Sequence, residues 1–400
     1  VDFGSTGLTG LHVSCIAGLR EHYGLPLHPV KVWEPFQMLG EVEKDLAQAL
    51  GSDCVGAMGR GTMFGFPNEG WHEWKTPWGQ VVLVPEGFRT REDSSGDVYV
   101  FPEGDTSVPP SGHMPASGYF FDAMVRQEPI DEDNLNPADN CEEFTLMESA
   151  DIEHWQRTFG QMGGETRAVV SGIGGTGFGD IALVPAAFLK HPKGIRDISE
   201  WYMALLEEPD YVHQVFDYQC NIALQNLETF AKLAGDSIDV ITICGTDFGT
   251  QNSQFCSPAT FDELYAPYYR RINAWIHEHT SWKTFKHSCG AVRPLIDHFI
   301  DVGFDILNPV QCSATGMDPD EIKAEFGDRV VFWGGGVDTQ KTLPFGTPAE
   351  VRAQVMDRLR AFSPGGGFVF NTIHNTQART PVANIVAMVD AIREFNGNPA

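Results

Sequence analysis

The sequence predicts an α/β fold in which parallel strands alternate with helices and close into a (β/α)8 TIM barrel, with a β-rich insertion after the second strand. Three observations carry this expectation. Short apolar runs ending in Gly, Asp, Asn or His recur along the chain, each followed by a longer amphipathic stretch, which is the pattern of βα units. The chain is 400 residues long with 42% hydrophobic and 11% aromatic content, enough for one large core. The rhythm breaks once, from about residue 59 to residue 140, where Gly, Pro and Trp accumulate.

In chain order, strands are expected at residues 1–5, 53–58, 168–173, 239–245, 283–287, 304–308, 330–334 and 367–371. Helices are expected between them, at 261–279, 291–302, 318–326, 348–362 and 381–395. The first of these helices follows Ser257-Pro258, a capping side chain and then a proline whose missing N–H costs nothing in a first turn. Residues 59–140 read as a lid or rim within a single domain spanning 1–400, with strand-like runs such as 80–84. A structureless loop of that length is uncommon in a compact domain. The aromatic side chains Trp71, Trp74, Trp78, Tyr119, Phe120 and Phe121 argue for burial. They either wall a cavity at the barrel mouth or form a small core of the insertion's own.

Fifty-four acidic side chains face 27 basic ones, a formal net charge of -27. Such a field repels polyanions, which argues against nucleic acid and anionic membranes as partners; the acid otherwise reads as solvated surface. The eight cysteines (Cys15, Cys54, Cys141, Cys220, Cys244, Cys256, Cys289 and Cys312) show neither a CxxC pair nor the spacing of a disulfide scaffold. Free thiols in a reducing compartment are therefore expected. No run approaches the ~18 apolar residues of a membrane span, and no basic segment precedes an apolar one, so a cytoplasmic protein is expected. The opening Val1-Asp2-Phe3-Gly4 reads as the interior of a strand, so a segment upstream of this numbering is expected.

The sharpest local signal is Phe285-Lys286-His287-Ser288-Cys289-Gly290, an apolar run that ends in His-x-Cys. Positions two apart on extended chain point the same way, so the imidazole and the thiol can converge on one cation such as zinc. A His and a Cys at this spacing also arise by chance. Catalytic zinc takes three protein ligands and keeps a position open; Asn371-Thr372-Ile373-His374-Asn375 at the last strand offers His374, although residue types alone favour a loop or capping histidine with no metal. In Cys244-Gly245-Thr246-Asp247-Phe248-Gly249-Thr250-Gln251, Asp247 is a fourth ligand, an acceptor for a ligating imidazole, a substrate carboxylate or a turn aspartate. The glycines of the 333–340 run, which contains Trp333 and Asp338, fit close backbone approach to a ligand or a tight turn. Gly172-Ile173-Gly174-Gly175-Thr176-Gly177 lacks the lysine and the acidic partner of a nucleotide loop.

Together with the 304–311 run, the 332–338 run and Ser363-Pro364-Gly365-Gly366-Gly367 leading to Asn384-Ile385, these motifs resemble the uroporphyrinogen decarboxylase superfamily. The resemblance covers nearly the whole chain and is closest to the branch of zinc-dependent, corrinoid-linked methyltransferases. It implies a (β/α)8 barrel and, in that branch, zinc held by a His-x-Cys pair, here His287 and Cys289, and by a later cysteine near the eighth strand. No cysteine follows Cys312, and the equivalent stretch offers His374 instead.

The implied activity is methyl transfer from a methylated small molecule, an aryl methyl ether being one such donor (O-demethylation), to the Co(I) of cobalamin on a separate corrinoid protein. In that scheme His287, Cys289 and His374 bind Zn2+ and Asp247 is catalytic, orienting metal or substrate. Gln251, Asn308, Trp333, Asp338 and Asn371 are expected to contact substrate. Methylcorrinoid:thiol methyl transfer, metal-free decarboxylation with Asp247 stabilising a cationic intermediate, and non-catalytic binding are the alternatives. The decarboxylase branch grips a polyanionic porphyrinogen with arginines near its N-terminus, whereas residues 1–24 hold Arg20 alone. A homodimer is the family-level expectation for assembly.

Overall fold

Seven parallel strands lie in one sheet in the order of the chain: Cys54–Ala57, Ala168–Ser171, Val240–Cys244, Lys283–His287, Ile306–Asn308, Val331–Trp333 and Phe368–Val369. They come from a computed structural model that describes residues 1–131 and 135–397. All seven fall inside the boundaries expected from the sequence.

The remaining barrel position departs from expectation. Residues 1–5 form no regular strand, because Gly4, at φ +93°, turns the chain and donates its N–H to the Thr9 carbonyl. The segment still closes the barrel. Asp2 N donates to the Phe370 carbonyl (2.9 Å) on one side, and Asp53 N donates to the Val1 carbonyl (2.8 Å) on the other. The first and last strands of the sheet are thereby joined, and the architecture is a (β/α)8 barrel.

Alternation along the strands sorts side chains between the barrel interior and the helical layer. Cys54, Val170, Val240, Phe285, Ile306 and Trp333 fill the interior, with Phe285 and Trp333 edge to face at 5.4 Å. Each large apolar side chain buried this way contributes roughly 1.5–3 kcal/mol.

The helix expected at 261–279 divides into Pro258–Leu264 and Ala266–His279. Pro267 has no N–H for the carbonyl a turn behind it, so it starts a new helix rather than continuing the old one. Ser257 caps the first piece, its Oγ accepting from Thr260 N at 3.0 Å. Arg293–Asp301, Pro319–Phe326, Pro348–Phe362 and Val382–Phe395 lie within the other expected helices.

Strands from 59–140 enter two four-stranded sheets, and one of these recruits chain from outside it. Val30–Glu34 pairs with Leu39–Gly40 and, in parallel, with Val81–Val84, which pairs in turn with His72–Lys75. No strand is expected from the sequence at 30–40. The second sheet runs Thr90–Glu92, Val98–Val100, Gly112–Met114, Asp122–Ala123. Phe64, Phe66, Phe88 and Phe121 stack edge to face and face to face between these sheets, with Trp74 5.1 Å from Phe88. Phe120 stays 43% exposed. Trp74 and Phe121 therefore pack in a core shared with the helix Val13–His22 and with Val382–Phe395, while Trp78 and Tyr119 pack on each other (5.1 Å) and on His12. Among the described residues no helix is long and apolar enough to cross a membrane, and all eight thiols are free.

Candidate metal centre

On the strand Lys283–His287, Phe285 and His287 face the barrel interior while Lys286 faces the helices. The Lys286 ammonium donates to the carbonyls of Thr246 (2.7 Å) and His287 (2.6 Å) and sits 4.6 Å from the Phe248 ring centroid. Gly290 then turns the chain at φ +93°. A Cβ there would lie 2.4 Å from the Gly249 carbonyl carbon, so glycine is what lets this loop press against the loop that carries Asp247.

Three ligand atoms converge at this mouth. One ligand atom each from His287, Cys289 and His374 lie within 4.8 Å of one another, from strand ends distant in sequence. Cys289 Sγ is 3.5 Å from His287 Nε2, and the two imidazole rings stand 5.4 Å apart at 80°.

The neighbours of His287 decide which nitrogen faces the thiol. Asn308 Nδ2 donates to the Trp333 carbonyl (2.7 Å), which leaves Asn308 Oδ1 as the acceptor for His287 Nδ1–H (2.6 Å). Nε2 is then the lone-pair nitrogen, aimed at Cys289. Asp247 Oδ1 accepts from Cys289 N (2.6 Å) and lies 3.6 Å from His287 Nε2, so it holds the Cys289 backbone beside the ring.

Electrostatics favour neutral imidazoles. Burial pushes His287 down, against the opposing pull of Asp247 and Asn308, and it pushes His374 down to about 4, with His287 adding to the effect. Burial, reinforced by Asp247, raises the Cys289 thiol well above its ordinary range. Two imidazoles with available lone pairs and one thiol form a donor set that fits zinc, which takes nitrogen and thiolate sulfur and keeps a fourth position open in catalytic sites. The His374 ring nitrogens make no hydrogen bond among the described residues, so either is free in its lone pair to join His287 and Cys289 as a donor.

A cavity of about 350 Å3 opens beside Cys289 and His374, walled by Gln251, Gln311, Ser313, Asp338, Gln340 and Gln377 among others. Of the residues expected to contact substrate, Gln251 and Asp338 line it. Asn308 stands behind His287. Trp333 and Asn371 do not reach the wall: their side chains are buried in the barrel, Trp333 Nε1 donating to Asp2 Oδ2 (3.1 Å) and Asn371 Nδ2 to the Asp2 carbonyl (2.9 Å). None of the cavity's lining residues belongs to 59–140, so the insertion's aromatics do not wall it.

Gln311, Gln340 and Lys286 fall inside the 304–311, 333–340 and 285–290 runs but carry no role in the sequence reading, since an amide or a lysine there fits no motif; Gln377 and Asp180 were not singled out. Asp180 is buried, accepts from Ala182 N (3.0 Å), and has its carboxyl pushed up to about 6 by burial and by Asp247. The glycine-rich run 172–177 borders a separate cavity of about 450 Å3. Gln219 Nε2 donates to its Gly175 and Gly177 carbonyls (3.0 Å each).

A barrel with candidate ligands at the ends of its strands defines the class, and comparison with known proteins supplies the family. The family model described as uroporphyrinogen decarboxylase (URO-D) matches residues 185–395, more than half of the chain. The chain belongs to the URO-D family. It is 22% identical over 199 residues to a uroporphyrinogen decarboxylase of Coxiella burnetii, covering 48% of this chain and 50% of that protein. It is 34% identical over 89 residues to one from Psychromonas ingrahamii, covering 21% and 24%. The chain thus spans about half the length, or less, of these curated relatives. Among solved structures, a methyltransferase from Methanosarcina mazei aligns with TM-score 0.48 and 14% identity over 96% of this chain and 98% of that one.

Proposed function

We propose that this protein is a zinc-dependent methyltransferase that moves a methyl group from a methylated small molecule to the Co(I) of a partner-borne corrinoid. The convergence of one His-x-Cys pair and a third imidazole beside a cavity is the observation that carries this reading. His287, Cys289 and His374 would hold the zinc.

An ether oxygen leaves badly because the departing phenoxide is basic, with an ordinary phenol pKa of about 10. A bound zinc supplies Lewis acidity toward the leaving atom. The chain's own residues do the rest. Asn308 keeps the proton on His287 Nδ1. Asp247 fixes the Cys289 backbone. Cys289 would have to give up its thiol proton to ligate zinc, which would make metal uptake pH-dependent. The cavity wall of amides and hydroxyls positions the donor.

Decarboxylation of a polyanionic porphyrinogen, the activity named for the relatives, is the weaker reading. Arg20 is buried and already bound to Asp45 (2.9 and 2.8 Å) and Glu43 (2.9 Å), and no Lys or Arg is among the residues lining the cavity. The test is metal analysis of the wild type against Cys289→Ala and His374→Ala, with methyl transfer to cob(I)alamin assayed alongside. About one zinc per chain is expected in the wild type and little in either variant. Equal zinc in all three removes the foundation of the proposal.

A further inference from the structure

A second cavity, of about 200 Å3, lies between the loop that follows the strand Ala168–Ser171 and the helices Ile198–Glu207 and Pro209–Ala234, and it shares no lining residue with the cavity beside Cys289. Its volume falls below the roughly 300–1,000 Å3 of drug-sized sites, so its occupant is small. Most of the wall is apolar, and four of the lining residues are aromatic: Phe144, Phe188, Trp201 and Phe216. Trp201 and Phe216 stand 6.1 Å apart and tilted by 46°, so they form a corner and do not stack.

Asp180 lines the same cavity and is 9% exposed. Its carboxylate accepts from Ala182 N (3.0 Å) and from Gly245 N, but it makes no ion pair among the described residues. The Lys286 ammonium favours its charged form only from a distance, being committed to the carbonyls of Thr246 and His287. A buried carboxylate is ordinarily paired, so an unpaired one beside a cavity calls for a cation in that cavity. Arg196 also lines the wall, but its guanidinium is taken by Glu143 (2.8 and 3.0 Å), by Glu142 (3.4 Å) and by two carbonyls. With Glu143 itself in the lining, the charge there is negative on balance. Two polar atoms are left over: Trp201 Nε1, buried without a partner, and Gln219 Oε1, on a side chain 2% exposed and unbonded among the described residues. One donates and the other accepts, so a single hydroxyl on a ligand meets both.

Aromatic rings and an unpaired carboxylate both attract a cation, and apolar walls select one whose charge is wrapped in methyl groups. We infer that this cavity is a binding site for a small methylated ammonium ion, held by Asp180 and by the rings of Trp201 and Phe216. The site stands apart from the methyl-transfer reading. The test is calorimetric titration of the purified protein with choline and with its uncharged carbon analogue, in which a tert-butyl group replaces the trimethylammonium. Wild type should bind choline about tenfold more tightly than the analogue, and Asp180→Asn should lose that advantage while binding the analogue as before. Gly177→Ala keeps the carboxylate and places a methyl 3.7 Å from Asp180 Oδ2, with its nearest neighbour at 3.5 Å, so it should fold normally and weaken choline binding several-fold. Should Asp180→Asn fail to fold, Gly177→Ala decides alone. No saturable choline binding, equal affinity for choline and the analogue, or choline binding unchanged in the variants overturns the assignment, as does tighter binding of acetate, which would hand the site to Arg196.

Discussion

Asn308 decides which nitrogen of His287 meets the thiol, and it does so because its own amide is anchored on the Trp333 carbonyl. Groups that orient a ligand in this way are typically worth about 10- to 100-fold in metal affinity. Asn308→Leu should therefore weaken zinc binding by about that factor in a competition with a chromogenic chelator, while Asn308→Asp, which keeps the acceptor, should stay closer to wild type; equal affinity in all three would mean that the tautomer is set elsewhere. His12 is a second residue whose protonation state is fixed by its surroundings. Its Nδ1 accepts from Ser14 N (3.1 Å), capping the helix Val13–His22, and its Nε2–H donates to the Tyr119 carbonyl (3.0 Å). Burial pushes it down from 6.5 to about 4. Because the folded value is the lower one, the stability it confers is fully present above pH 6.5 and is lost as pH falls toward 4, amounting to about 2 kcal/mol by pH 5. His12→Asn, which retains a cap acceptor, should flatten the acid limb of a stability-versus-pH curve measured by urea unfolding; an unchanged limb would assign the acid sensitivity to other groups.

At the scale of elements, the barrel strands were readable because each is a short apolar run punctuated by a turn residue, and His287 and His374 stand at two of those ends. His-x-Cys was legible for the same reason, since extended chain alone places both side chains on one side. The 30–40 hairpin was not legible. Its stabilising partner, Val81–Val84, lies far along the chain, and no local pattern announces a pairing of that separation. The first strand was over-read because Val1 and Phe3 fit the apolar pattern, while the positive φ of Gly4 overrides it. Nor does sequence spacing reveal that the insertion's aromatics pack on one another rather than at the mouth. The loop after the His-x-Cys strand yields an element-scale prediction. Gly290→Ala must adopt φ near +93° and push a methyl into the Gly249 backbone, at a cost of at least about 1–3 kcal/mol. It should lower both the unfolding midpoint and the zinc content, since the same contact positions Cys289; normal zinc at reduced stability would separate the two roles. A second prediction concerns Arg196, 1% exposed, which ties the segment around Glu142 and Glu143 to the start of the helix Ile198–Glu207. Arg196 is buried, but Glu142 and Glu143 keep 28% and 14% of their side chains exposed, so the carboxylates left behind stay partly solvated; Arg196→Ala should cost about 1–3 kcal/mol in urea unfolding, chiefly through the lost charge-assisted hydrogen bonds, and an unchanged midpoint would overturn that role.

For the molecule as a whole, charge is the dominant long-range property. Fifty-four carboxylates against 27 cations leave net self-repulsion in the folded state, which is strongest when salt is scarce. The exposed ion pairs, such as Arg360 with Asp357 and Lys232 with Glu228, offset little of it, since such pairs are worth about 0–1 kcal/mol each. Raising NaCl from about 10 mM to about 1 M shortens the Debye length from about 30 Å to about 3 Å and screens the repulsion along with the pairs. Repulsion summed over many unpaired carboxylates should outweigh the pairs, so Tm should rise by a few degrees over that range. The same field reaches the mouth, whose lining holds Asp338 and no Lys or Arg, so KM for a carboxylated methyl donor should fall with added salt while KM for an uncharged donor stays flat. A Tm that holds steady or drops, read by scanning calorimetry, would show that the carboxylates are compensated locally.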